Sequence, residues 1–159
     1  MKKTCKIAVF FLALGILLER ILNSKALQGL NKRMERISLN SALVERWFTL
    51  RDKGISLADY IRSQSCESVA IYGLADFGNH VYEELVGTDI KLIGVDRADI
   101  YNNFKMPIRK PEDDMSDIDM IIVTPYLQYE DICKTLRKHY TGRIISLEAL
   151  ITECEKYLY

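Results

Sequence analysis

The apolar positions of this chain change rhythm twice. Residues 7–18 form an unbroken apolar run behind Lys2, Lys3 and Lys6, and apolar character resumes at Ile21 and Leu22 after Glu19 and Arg20. From 23 to 53 the composition turns polar and helix-forming, without proline, and Leu43, Val44, Trp47, Phe48 and Leu50 recur at helical spacing. Gly54 stands where a C′ glycine ends a helix. Ser56 is placed to cap a short helix that carries Leu57, Tyr60 and Ile61 on one face. Beyond Cys66, short apolar runs alternate with longer amphipathic stretches. The runs at 69–72, 91–95 and 143–145 predict strands, the stretch 119–125 contains a further, fully apolar one, and 106–109 predicts a short edge strand that tolerates Pro107. Phe77, Val81 and Leu85 give the stretch after Asp76 an apolar stripe. Ile132 and Leu136 mark a helix over 127–140, and Ser146 caps a last helix from Leu147, with Glu148 in its first turn.

Strands alternating with helices predict an α/β domain: a three-layer parallel sheet of about five strands, in the order 3-2-1-4-5, preceded by a helical arm. The continuous apolar character of 69–72 and of the strand within 119–125 suits strands covered on both faces.

The first of these strands ends on Gly73, and a second glycine stands at Gly78. The next strand ends on Asp96. Strand, glycine turn, helix, strand and acid is the plan of a nucleotide-binding βαβ unit. Gly73 allows a positive φ, and Gly78 lets the helix approach the strand. The first-turn N–H groups and the helix dipole then face a phosphate or diphosphate. The middle glycine of the G-x-G-x-x-G pattern is replaced by Ala75, which narrows the approach. Asp76, read as the N-cap, competes with an anion for the same N–H donors. Asp96 is placed to accept ribose hydroxyls, or else to cap the loop after its strand. In the expected strand order, Thr124 and Tyr126 reach the same crevice. The candidate binding set is therefore Gly73, Leu74, Ala75, Asp76, Phe77, Gly78, Asp96, Arg97, Thr124, Pro125 and Tyr126, for NAD(P) or a nucleotide-sugar.

Composition narrows the field. The 159 residues hold 22 basic and 22 acidic side chains, a balance that argues against nucleic acid as partner. Cys5, Cys66, Cys133 and Cys154 are scattered, with only His80 and His139 as imidazoles. Zinc ligands cluster, so no metal site is expected, and isolated cysteines read as small core residues of a reducing compartment. Pro111, Glu112, Asp113 and Asp114 read as solvated surface. Trp47 reads as the anchor that docks the arm on the sheet domain, with base stacking as the lesser alternative.

Three readings compete for the N-terminal segment, 1–22. About twelve to sixteen apolar residues fall short of the roughly 20 that span a bilayer. A membrane anchor, with Arg20 at headgroup level, is the leading expectation. An interfacial or packed helix and a signal peptide are the others, the last weakened by a poor cleavage site at Ser24, Lys25 and Ala26. The basic residues on the two sides nearly balance, so they do not set an orientation. The expected organisation is a hydrophobic segment (1–22), a helical arm (23–64) and a nucleotide-binding domain (65–159). The domain is expected in the cytoplasm, either membrane-associated through 7–22 or free.

The motifs W-x-x-x-R-x-x-G-x-S-L-x-x-Y-I, V-A-I-Y-G-x-A-x-x-G, V-D-R, I-D-M-I-I-V-T-P and I-I-S-L-E-A-L-I occur in this order. Over 47–151 the chain resembles a family of small Rossmann-like proteins of anaerobic Firmicutes found with polysaccharide-biosynthesis proteins. The resemblance implies an NAD(P)-binding-like fold and, in some relatives, an N-terminal hydrophobic segment. The family pattern carries glycine or a similar residue at the Ala75 position. More distantly, the domain is similar to the nucleotide-sugar-binding N-terminal domains of sugar acyltransferases, a likeness of fold alone.

Catalytic signals are sparse. Tyr101 and Lys105 spell Y-x-x-x-K, the pair of short-chain dehydrogenases, but they fall just past the second strand in a loop. Cys133 and His139, six apart, do not share a helix face. The chain also offers no separate substrate domain. An accessory nucleotide-binding protein without autonomous activity is the leading expectation. A ligand-free scaffold for protein contacts and an NAD(P)-dependent oxidoreductase or epimerase-like enzyme are the alternatives.

Overall fold

A computed structural model describes residues 2–98 and 104–158; the side chains of 2–18, 21 and 22 lie outside that description. The chain divides into two compact units, Met1–Glu45 and Arg46–Tyr159.

The first unit is part of a single helix, α1 (Lys2–Asp52). Leu27, Leu30, Met34 and Ile37 recur at helical spacing and are exposed. The run at 7–18, with Ile21 and Leu22, has its side chains outside the described residues, and so do the anchor, interfacial and signal-peptide readings built on it. Among the described residues, no helix is long and apolar enough to cross a membrane.

The second unit is a five-stranded parallel sheet in the order β3-β2-β1-β4-β5, as the alternation of elements predicts. The strands are β1 (Ser68–Tyr72), β2 (Lys91–Val95), β3 (Ile108–Arg109), β4 (Met120–Val123) and β5 (Arg143–Ser146). Ala70 sits opposite Ile93 on one side and Ile121 on the other, and Ile121 opposite Ile144. β1 and β4 are buried along their whole length, which is why they carry apolar residues without alternation.

Helices cover both faces. α3 (Asp76–Leu85) crosses from β1 to β2. It shares a layer with α2 (Leu57–Ser63) and α5 (Leu147–Glu155), since α2 packs on both and α5 lies against β4 and β5. On the opposite face Ile132 and Leu136 of α4 (Tyr129–Leu136) join Tyr72, Ile93, Val95, Ile121 and Val123 in one cluster. The connection from β3 to β4 forms no helix. Met115 and Ile118 drop from it into that same cluster and fill the place a crossover helix would take.

Two elements differ from expectation at their ends. The helix expected over 127–140 is a 3₁₀ turn (Tyr126–Gln128) followed by α4, which stops at Leu136. The chain turns there so that Tyr140 can bury its ring and donate its hydroxyl to the Ile118 carbonyl at 3.2 Å. The edge strand shrinks to Ile108–Arg109 because Pro107 has no N–H; its carbonyl still accepts from the Gly94 N–H at 2.8 Å. The strand expected within 119–125 is β4, and Asp119 precedes it. Its Oδ2 accepts from the N–H groups of Glu67 and Ser68 and from the Ser68 hydroxyl, each at 2.9 Å, and so ties the start of β1 to the start of β4.

The end of α1 is fastened to this sheet unit. Trp47 is buried, and its indole N–H donates to Glu84 Oε2 of α3 at 2.7 Å. The other oxygen of Glu84 accepts from the Leu57 N–H that opens α2, also at 2.7 Å. One carboxylate thus joins α1, α2 and α3, and Trp47 is the anchor its sequence context predicts. Arg46 adds a two-pronged pair with Glu155 of α5, 2.8 Å on each prong. Ser56 and Ser146 cap α2 and α5 as expected. Cys66 and Cys154 are buried core residues, and Cys133 is half-buried.

Candidate functional site

The C-terminal ends of β1, β2 and β4 meet around Gly73. Its φ is +86°, a conformation cheap only for glycine, and its N–H donates to the Val95 carbonyl of β2 at 2.9 Å. A Cβ here would stand 2.8 Å from the Pro125 ring and 3.0 Å from Thr124 Oγ1. A Cβ on Gly78 would stand 2.0 Å from the Gly73 carbonyl oxygen. Thr124, itself buried, donates its hydroxyl proton to that same oxygen at 2.7 Å. Both glycines are therefore demanded by packing, whatever else they serve.

Asp76 is not the N-cap. The cap is Ala75, whose extended backbone offers no side-chain acceptor, and Asp76 is the first residue of α3. The helix begins one residue earlier than expected because the Asn79 N–H already reaches the Ala75 carbonyl at 2.9 Å. Asp76 accordingly does not seal the end of the helix, and the first-turn N–H groups keep no acceptor within the helix. Its carboxylate still adds a negative charge to that turn, where the helix dipole favours it.

Asp96 comes directly after β2 and makes two backbone contacts. Oδ2 accepts from the Leu74 N–H and Oδ1 from the Ala98 N–H, both at 2.9 Å. It pins the glycine turn to the end of β2 and shapes the next turn, so it caps its own loop; each oxygen keeps a lone pair for a second donor. Arg97 is exposed, and its carbonyl accepts from Lys110 Nζ at 3.1 Å. The Phe77 and Tyr126 rings meet edge to face, 6.1 Å between centroids. Burial raises the pKa of the Tyr126 phenol, helped by the charge of Glu148. The fold thus gathers Gly73, Leu74, Gly78, Asp96, Thr124 and Pro125 about one turn, with Phe77 and Tyr126 paired beside it. Tyr101 lies outside the described residues, and with it the Y-x-x-x-K expectation.

The adjoining cavity opens on the flank of α3. It measures about 640 Å³ and begins at Leu74, Ala75 and Asp76. Five further lining residues escape the sequence reasoning: Asn79, His80, Tyr82, Glu83 and Phe104. A signal exists for three of them. Asp76, Asn79, His80 and Glu83 recur at i, i+3, i+4 and i+7, a polar stripe that a solvated helix face produces equally well. Phe104 comes from the connection between β2 and β3 and stacks edge to face on Tyr82 at 4.9 Å. No periodicity announces that pairing.

No family model, curated protein or solved structure matches this chain.

Proposed function

We propose that this chain binds a nucleotide-type small molecule, a dinucleotide cofactor or a nucleotide-sugar, at the sheet edge beside Gly73, as an accessory protein without a reaction of its own. The observation that carries the reading is the point where strand order reverses. β1 lies between β2 and β4, and in open parallel sheets the crevice at such a point is where ligands sit. The glycine turn, the uncapped N-terminus of α3 and the Asp96 carboxylate converge there. The first-turn amides suit a phosphate, and the free lone pairs of Asp96 suit ribose hydroxyls. The family resemblance supplies the setting, cell-surface polysaccharide assembly, with residues 7–22 as a membrane tether.

A second reading, a ligand-free scaffold for protein contacts, draws support from the packing that already accounts for Gly73 and Gly78. Thermal unfolding of the full chain with NAD(H), NADP(H), UDP-sugars and coenzyme A separates the two. A ligand present at about 100 times its Kd stabilises the native state by about 2.7 kcal/mol and raises the melting temperature. A flat response across the panel would leave the scaffold.

A further inference from the structure

The cavity on the flank of α3 has a chemistry unlike that of the anion seat at the helix N-terminus. The seat offers backbone N–H groups. The cavity offers carboxylates on one wall and aromatic rings on another.

The polar wall is the stripe Asp76, Asn79, His80 and Glu83. Asn79 Nδ2 donates to Glu83 Oε1 at 3.1 Å, and His80 Nδ1 lies 3.6 Å from Glu83 Oε2, so Glu83 is oriented by its own helix. The Asp76 carboxylate has no hydrogen-bond partner among the described residues. No lysine or arginine lines the cavity among those residues, and the one basic side chain in its wall is His80, beside Glu83. The aromatic wall is Tyr82 against Phe104, their planes 86° apart. The Lys105 N–H donates to the Tyr82 hydroxyl at 3.0 Å and helps set that ring. Leu74, buried, stands at the cavity's start.

An anion would meet both carboxylates with no lysine or arginine to hold it, and a neutral ligand would leave them as they are. A cation with an apolar body satisfies both walls: its charge lies by the carboxylates and its body against the rings, where a cation–π contribution adds to contact. The volume is that of a small-molecule site. We propose that this cavity binds a small organic cation, an ammonium or guanidinium group carried on a short apolar chain. The proposal stands apart from nucleotide binding, because it draws on side-chain carboxylates and not on the first-turn amides.

The chain's one tryptophan serves as reporter, since Trp47 stands edge-on to His80 with centroids 6.5 Å apart. Agmatine is a suitable probe: it carries a cation at each end, and Asp76 and Glu83 are separated by a helical rise of about 10 Å. Titrating the full chain with agmatine should give a saturable change in Trp47 fluorescence, while 1,4-butanediol, its neutral counterpart, should give none. Asp76→Asn and Glu83→Gln, two exposed positions, should each weaken agmatine at least tenfold while the protein keeps its wild-type circular dichroism spectrum. Glu112→Gln, on the acidic loop after β3, should leave binding as it is. No saturation at millimolar agmatine would overturn the proposal. So would binding that survives both α3 substitutions, or binding that falls as far in Glu112→Gln, which is the behaviour of unspecific charge attraction.

Discussion

Replacing Gly78 by alanine tests how the glycine turn is held together. In most helices the change is favourable, because alanine exceeds glycine in helix propensity by about 1 kcal/mol. Here the added methyl would lie 2.0 Å from the Gly73 oxygen and 2.9 Å from its carbonyl carbon. The obstacle is backbone, so either α3 or the end of β1 must move by about an ångström to restore ordinary contact. Overpacking of this kind costs about 1–3 kcal/mol, and a backbone obstacle places it at the upper end. The same movement stretches the 2.7 Å bond from Thr124, worth about 1 kcal/mol. Set against the propensity gain, the net loss is about 3 kcal/mol. Urea unfolding of the full chain, followed by Trp47 fluorescence, should show a midpoint lower by about 1–2 M with an unchanged slope. Gly29→Ala is the control: it lies within α1 with nothing inside 4 Å of its Cβ and should raise helicity by circular dichroism. A Gly78→Ala protein that unfolds at the wild-type midpoint would refute the close approach of helix and turn.

Two further changes test the supports around the turn. Glu84→Ala strands the buried indole N–H of Trp47 and the Leu57 N–H together, and should cost about 2–4 kcal/mol with a red-shifted Trp47 emission; Glu84→Gln, which keeps one acceptor, should cost less. The Asp119 carboxyl is held below the usual carboxylate range, first by the Ser68 N–H, then by the Glu67 N–H and the Ser68 hydroxyl. Its folded pKa is depressed, so its contribution is complete above the unfolded value of about 3.9 and is lost as pH falls through the folded value. Asp119→Ala should therefore lower stability at neutral pH by about 1 kcal/mol, a small figure because solvent screens this exposed group, and should flatten the decline below about pH 4. Equal acid limbs in the two proteins would remove Asp119 from the account.

The sheet was legible because its signals are local and agree with one another. Val69 to Tyr72 and Met120 to Val123 have no polar positions to confuse strand with amphipathic helix, and Gly73 marks the turn between strand and helix. Strand order followed from the doubly wound plan that the strand, glycine turn and helix imply, with the crossovers right-handed. Element ends were less legible, since they depend on distant partners. The edge strand shortens at Pro107, and α4 stops where Tyr140 must reach Ile118. The glycine turn was placed correctly, but its first helical residue was not: Ala75 has no capping side chain, and Asp76 is the residue type a cap prefers. The cavity beside α3 stayed hidden for a different reason. Its polar stripe has the pattern of a solvated surface, and only the approach of Phe104 to Tyr82 across the chain turns that surface into a wall.

The brevity of β3 bears on how the sheet meets other chains. A parallel sheet has two outer edges, and the backbone groups along each can recruit a strand from another molecule. β3 turns the carbonyls of Pro107 and Arg109 inward, to Gly94 and Asp96 of the β2 side, which leaves Ile108 to present backbone groups outward. One residue is too little to template a foreign strand. Sheet growth between copies would have to begin at the four-residue β5, where Arg143 holds Tyr60 and Gln64 of the α2 segment against the start of the strand. The two ends of this small sheet thus differ: β3 is shorter than a foreign strand needs, and β5 starts on an edge arginine, a charge that discourages pairing.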